Sequence, residues 1–310
     1  MWPCGIWSRA GVYVPGDRGR HQAHERARRV GGAAAVAGVA EIAVCSPPGP
    51  DGLPNRNVLA VCAMLGVEEV YALGGAQAVA ALALGTETIR PVDVIVGPGN
   101  AYVEEAKRGL VGTVGIESLA GPSELVVLAD RTAPPEPLAW DLVAQAEHGP
   151  GSQSVLVSAD PDVLETVESH LASTEGVHLA QADGWDTAYA FVDAYAPEHL
   201  QLAVADPHGA LERVRHAGAV FLGAASGTAF GDYVAGSNHV LPTGGSARFS
   251  SALSPAAFVR LQEVVEIGPE AAAALAAPVA ALARAEGLAA HARSALIRAE
   301  APSPAAATAT

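Results

Sequence analysis

"VEEVYALGGAQAVAALALG", residues 67–85, sets the fold class. A short apolar run leads into two glycines, and an alanine-rich stretch too long for a strand follows. That order is strand, glycine turn, helix. The unit recurs immediately, with "VDVIVGPGN" (92–100) as strand and loop and "AYVEEAKRGL" (101–110) as helix. Upstream, "AEIAVCS" (40–46) reads as a strand feeding a helix through "NRNVLAVCAMLG", and downstream "SELVVLAD" (123–130) reads as another strand. A second series begins with a helix at 137–148. It continues through "SQSVLVS" (strand), "PDVLETVESHLAS" (helix), "TAYAFVDAYAPEHLQLAV" (helix, break, strand), "PHGALERVRHAG" (helix) and "AVFLG" (strand). Strands that are apolar throughout, alternating with helices, belong to parallel sheets covered on both faces. The expected fold is therefore α/β, with two Rossmann-like but incomplete parallel-sheet modules, over 1–130 and 131–268. A helical segment over 269–310 follows, interrupted at Gly287 and ending in the frayed tail "APSPAAATAT". No repeat of fixed period appears beyond the two modules.

Composition narrows the function classes. Half of the 310 residues are apolar and 16% are charged, which suits a packed enzyme rather than a disordered chain. A formal charge of -15 argues against a nucleic-acid partner, because phosphate binding needs clustered Lys and Arg. Cys4, Cys45 and Cys62 are odd in number and form no CxxC pair, so neither a disulfide framework nor a thiolate zinc site is indicated. No apolar run suggests a membrane span, and "MWPCGIWSRAGVYVPG" lacks the layout of a secretory signal, so a soluble cytoplasmic protein is expected. The single lysine, Lys107, against seventeen arginines reads as compositional bias rather than function. "DRGRHQAHERARRV" (17–30) stands apart, with five basic residues in fourteen positions and almost no apolar face. It reads as an exposed basic loop or helix, or as a piece foreign to its surroundings.

Several polar groups are candidates for chemistry. "DLVAQAEHGP" (141–150) ends a helix with Gln145 and His148 three apart on one face, either a metal-binding pair or a solvated helix end. "VGPGN" and "LGGAQA" each follow a strand and open a helix, where backbone amides can cradle a phosphate; Gln77 and Asn100 sit at those turns. Either stretch is equally readable as an ordinary turn. "GPSE" (121–124) places Ser123 at the mouth of a strand without the GxSxG elbow, so a turn hydroxyl is the better reading than a nucleophile. "APEHL" (196–200) offers Glu198 and His199, adjacent in a break, as two bases of different strength, or as solvated surface. "GDYVAGSNHVLPTGG" (231–245) is a polar loop in an apolar chain, with Asp232 and His239 seven apart. "EGLAAHA" (286–292) sets Glu286 and His291 across a helix interruption. Gln145, His148, Asp232 and His291 would together make an N/O set for a divalent metal.

Taken together, "GVYVPG", "GVEEVYALGGAQAVAALALGTETI", "VDVIVGPGNAYVEEAKR", "GPSELVVLAD", "DLVAQAEHGP", "YAPEHLQL", "FLGAASGTAFGDYVAGSNHVLPTGGSARFSSALS" and "EGLAAHARS" resemble the histidinol dehydrogenase family, in family order across nearly the whole chain. The resemblance implies a homodimer that uses zinc and NAD to oxidise L-histidinol to L-histidine in a four-electron reaction through a bound aldehyde. It implies zinc ligands at Gln145, His148, Asp232 and His291, with His291 and Glu286 reaching across the dimer interface. Glu198 and His199 would be the catalytic bases. Ser123, Gln145, His148, His199, Asp232, Glu286 and His291 would contact substrate, with His239 nearby, and Tyr13, Gln77 and Asn100 would contact NAD.

Two departures from the family pattern stand out. The family carries a further stretch ahead of "GIWSRAGVYVPG", so a truncated product is expected. Across 17–33 the family's character is lost and then regained at "AVAGV", in the manner of a short double frameshift. Two other functions follow from these features. One is a paralogue oxidising another small alcohol with zinc and NAD, and the other is an inactive remnant that binds only zinc or a partner chain.

Overall fold

The computed structural model describes residues 4–6, 8–14, 23–149 and 151–300. The chain divides into two compact units, one spanning Gly5–Arg260 and the other containing the segment from Leu261 onward. Both expected sheets lie in the first. The first sheet is built from β1 (Arg9–Tyr13), β2 (Glu41–Ser46), β3 (Glu69–Ala72), β4 (Val94–Val96) and β5 (Gly115–Ile116), in the order β3-β2-β1-β4-β5. The second uses β6 (Glu124–Ala129), β7 (Gln153–Ser158), β8 (Val177–Gln181), β9 (His199–Ala203) and β10 (Ala219–Leu222), in the order β10-β9-β6-β7-β8. All neighbouring strands within each sheet are parallel. The α/β class holds. "SELVVLAD", expected to close the first module, instead forms the middle strand of the second sheet, so the break between sheets precedes residue 124.

Helices cover both faces of each sheet, and the period-2 alternation of the strands supplies both cores. In β1, Ala10 and Val12 face a layer made with α1 (Ala23–Ala37) and α2 (Arg56–Met64). Tyr13 faces α3 (Gly75–Leu84) and α4 (Ala101–Leu110). In the second sheet, Leu125 and Leu156 pack on α5 (Pro135–Ala146) and α6 (Pro161–Glu168). Val126, Leu200 and Leu202 pack on α7 (Trp185–Tyr195) and α8 (Pro207–Leu211). Leu125, Leu138, Leu142 and Leu156 are fully buried, each contributing about 1.5–3 kcal/mol relative to exposure.

The basic segment is only partly as expected. Residues 17–22 lie outside the described residues, but from Ala23 the chain is helical. Ala27, Val30 and Ala34 form one buried helical face despite the sparse apolar content, and Arg29 is itself buried. From Ala27 onward the described part of the segment is thus packed on one face, with Arg28 exposed.

The second unit is a helical hairpin of α10 (Pro269–Ala285) and α11 (Ala289–Glu300), turning at Gly287. Its small core is Ala280, Ala283 and Ala292 with Leu296 packed against it. Leu275, Val279, Leu282, Leu288 and Ile297 remain exposed. No helix among the described residues is long and apolar enough to cross a membrane.

Candidate active site

Polar groups collect at the N-terminal edge of the second sheet, and topology explains why. Strands β6 and β9 are adjacent and parallel, with His199 opposite Leu125, so the residues leading into both strands meet at one edge. The break in "YAPEHL" sharpens this. Helix α7 ends at Tyr195, and Ala196 takes a left-handed conformation (φ 51°), closing the helix through its N–H to the Val192 carbonyl. Pro197 then delivers Glu198 and His199 directly to the first rung of β9. Helix α5 runs back against the strands, so its C-terminal end brings Gln145 and His148 to the same edge. The short helix α9 (Thr228–Tyr233) adds Asp232.

The side chains form a connected network. The Gln145 amide Nε2 donates to Ser123 Oγ at 2.7 Å, and that hydroxyl donates to Glu198 Oε2 at 2.5 Å. The same oxygen accepts the Glu124 N–H at 3.0 Å. His199 Nδ1 lies 3.1 Å from the Glu124 carbonyl, which can only accept, so Nδ1 carries the proton and Nε2 keeps its lone pair. That Nε2 lies 3.8 Å from Asp232 Oδ1. His148 repeats the arrangement, with Nδ1 donating to the Gln145 carbonyl at 3.0 Å and Nε2 lying 4.0 Å from Asp232 Oδ2. Glu198 and His199 are buried, and burial pushes the neighbouring Glu124 carboxyl above its usual range. Ser123, His148, Glu198, His199 and Asp232 border a cavity of about 270 Å³ that also meets His239 and, from the loop after β4, Pro98 and Gly99.

The first sheet meets the cavity with a clamped loop. Lys107, the chain's single lysine, is fully buried. Its Nζ donates to the Gly97 carbonyl at 2.7 Å and to Glu117 Oε1 at 3.0 Å. Glu117 Oε1 also takes the Gly97 N–H at 2.6 Å. Glu104 takes the Gly99 N–H at 3.0 Å and the Ala120 N–H at 2.8 Å. Burial outweighs the ammonium and pushes the Glu117 carboxyl upward. Gly97 has φ +120°, and a Cβ there would lie 2.0 Å from the Tyr13 carbonyl oxygen, so only glycine fits. The lysine set aside as compositional bias is thus the anchor of "VGPGN". A lone lysine in an otherwise Arg-based chain was the available signal, though composition alone could not place it.

The remaining expected positions lie elsewhere. Tyr13 is buried at the end of β1, and its hydroxyl accepts the Gly75 N–H at 3.2 Å, steadying the turn before α3. Gln77 is exposed on the first turn of that helix. Asn100 caps α4, its Oδ1 accepting from the Tyr102 and Val103 N–H groups, both at 3.1 Å. All three flank the C-terminal edge of the first sheet, the usual location for ligands in open parallel sheets. Glu286, the C-cap of α10, and His291, on α11, are exposed in the other unit. Among the described residues, no three His, Cys, Asp or Glu side chains are close enough to hold a metal by themselves.

The sequence profile of the histidinol dehydrogenase family matches residues 6–299. The chain is 48% identical over 305 residues to histidinol dehydrogenase of Zymomonas mobilis, covering 93% of this chain and 70% of that one. It is 46% identical over 305 residues to the enzyme of the same name from Synechococcus, covering 94% and 70%. The crystal structure of histidinol dehydrogenase from Elizabethkingia anophelis superposes with a TM-score of 0.89 at 33% identity, covering 96% of this chain and 72% of that one. An acetylating aldehyde dehydrogenase from Geobacillus thermoglucosidasius, 11% identical with a TM-score of 0.54 over 85% of this chain and 76% of that one, shares the fold alone.

Proposed function

The chain belongs to the histidinol dehydrogenase family of NAD-dependent oxidoreductases, and on that footing we propose that it oxidises L-histidinol to L-histidine in two NAD-linked steps at the cavity beside Asp232. One observation carries the assignment to this cavity. His199 presents a free imidazole nitrogen there, next to the Glu198 carboxylate and within reach of the glycine loop of the other sheet.

In the first oxidation, His199 Nε2 takes the alcohol proton while the carbon gives up hydride, the acceptor being NAD when bound. In the second, Glu198 draws a proton from the water that adds to the aldehyde, and the hydrate gives a hydroxyl proton to His199 as its carbon gives up hydride, the acceptor being a second NAD when bound. The Ser123 hydroxyl and Glu124 N–H hold that carboxylate in a fixed orientation through the step.

The donor set fits zinc in kind. Imidazole, carboxylate and amide oxygen are all acceptable to Zn²⁺, and hydrogen bonding of His148 Nδ1 to a carbonyl leaves Nε2 in the ligating tautomer. Gln145, His148 and Asp232 would hold the metal, with His291 from a second subunit. A bound zinc would orient the substrate's imidazole and amine. The exposed apolar residues of the helical hairpin support a homodimer in which Glu286 and His291 are contributed in trans. Tyr13, Gln77 and Asn100 would line the nucleotide, at the edge where β1 and β4 diverge.

The test is stoichiometric. With zinc, NAD and limiting L-histidinol, the purified chain should form two NADH per histidinol. One NADH, or turnover of a different alcohol only, would remove the histidinol assignment.

A further inference from the structure

Helix α9 carries Asp232, and its own loop caps it only in part, the Ser237 hydroxyl donating to the Gly231 carbonyl at 3.3 Å. Its last turn contains no basic residue, and only the Phe230 carbonyl finds backbone donors beyond the helix, the Val234 and Ala235 N–H groups at 3.0 and 2.8 Å. The Gly231 and Asp232 carbonyls point out of the helix end, where a helix leaves unpaired acceptors and a partial negative charge. A side chain 202 residues earlier in the chain supplies the Asp232 carbonyl and adds a charged donor to the Gly231 carbonyl. The Arg29 guanidinium donates through one nitrogen to the Gly231 carbonyl at 3.0 Å and to the Ser237 carbonyl, and through the other to the Asp232 carbonyl at 2.9 Å. Arg29 is 9% exposed, and its helix is seated by Ala27, Val30 and Ala34 in the core that also holds Val240, Leu253 and Phe258. The guanidinium is therefore fixed at its base as well as its tip.

We propose that Arg29 is a positioning residue for the active site, acting as a remote C-cap that sets Asp232 and its loop against His148 and His199. The planar fork of arginine suits this role, because it bridges three carbonyls in fixed directions where a lysine ammonium would act as a point donor. The contact also reinforces the closure of the 231–237 loop, since Gly231 and Ser237, already joined through the Ser237 hydroxyl, share one guanidinium nitrogen. The segment that departs furthest from the family pattern thus supports the residue on which the metal reading depends. The inference rests on Asp232 being a zinc ligand.

The experiment uses Arg29→Met, Arg29→Lys and Arg29→Ala in the full chain, with two measurements. Amide exchange over 230–239 in the metal-free protein should rise on the order of tenfold in Arg29→Met, with β6 and β9 unchanged. Zinc affinity by chelator competition should fall about 10–100-fold. Arg29→Lys should recover part of both, and millimolar guanidinium should restore zinc affinity to Arg29→Ala while matched sodium chloride does not. Unchanged exchange overturns the proposal whatever the metal does. Faster exchange with unchanged zinc affinity also overturns it, since Arg29 would then serve stability alone. If Arg29→Met fails to fold, Arg29→Lys decides on the same two readings. A wild-type chain that binds no zinc would count against the histidinol dehydrogenase reading, while exchange still judges the cap.

Discussion

The two sheets share one strand order. Counted along the chain, each runs third, second, first, fourth, fifth, with the topological break between its first and fourth strands. Yet they face the cavity with opposite edges. The first presents the C-terminal ends of its strands, where Gly97–Asn100 leave β4 and Tyr13 ends β1. The second presents N-terminal ends, where Ser123 enters β6 and Glu198 enters β9. C-terminal edges offer helix N-termini, suited to phosphate, although here the Gly97 and Gly99 N–H groups are already held by Glu117 and Glu104. N-terminal edges bring in helix C-termini and strand-leading side chains, and here these are the groups proposed as bases and ligands. Under that proposal the same topology yields a binding edge and a chemical edge, depending on which end is turned inward.

That division can be broken from either side. The largest expected effect is on the chemical edge. His199→Asn should lower turnover of histidinol by about 10²–10⁴-fold with an unchanged circular dichroism spectrum. A loss below tenfold would mean that the proton leaves by another route. On the binding edge, Lys107→Met leaves Glu117 and Glu104 buried without their cation. It should cost about 3–5 kcal/mol of stability by chemical denaturation. Lys107→Met together with Glu117→Gln should recover part of that loss, and strict additivity would show that the two groups do not interact.

A milder effect concerns the far end of the first sheet. Arg9 binds Glu41 and Glu69 there, and Arg90 joins both. Arg9 is the main reason the Glu69 carboxyl is lowered to about 2. Its folded value lies below its unfolded one, so this contribution is complete above the unfolded carboxylate range and is lost as pH falls towards 2. Chemical denaturation midpoints of wild type and Glu69→Gln, measured across pH, should therefore converge at low pH and separate near neutrality. The smallest effect is on the surface. Arg131→Ala breaks pairs with Asp160 and Asp162 in which Arg131 is largely exposed, and should leave the chemical denaturation midpoint unchanged.

The sequence made the alternation of strands and helices readable from residue 38 onward, because buried parallel strands are short β-branched runs and their helices are rich in alanine. It hid β1, since "RAGVY" is brief and opens on an arginine that turns out to be buried in an ion cluster. It also hid which sheet "SELVVLAD" joins, because pairing partners are set by tertiary packing rather than by local pattern. At the site, Glu198, His199, Asp232 and His148 were visible as residue types in breaks and loops. Their meeting was not, because it depends on α5 running back to the strand entrances. Arg29 and Lys107 were the least legible, since an arginine in a basic run and a lone lysine look like surface.

The burial of Lys107 has a practical corollary. Amine-directed reagents such as activated esters meet no lysine on the folded surface, since the chain has only this one. Acylation at Lys107 therefore reports the opening of the Gly97 loop, and its labelling rate gives a site-specific clock for unfolding of the first sheet, readable by peptide mass mapping, which separates it from the α-amine.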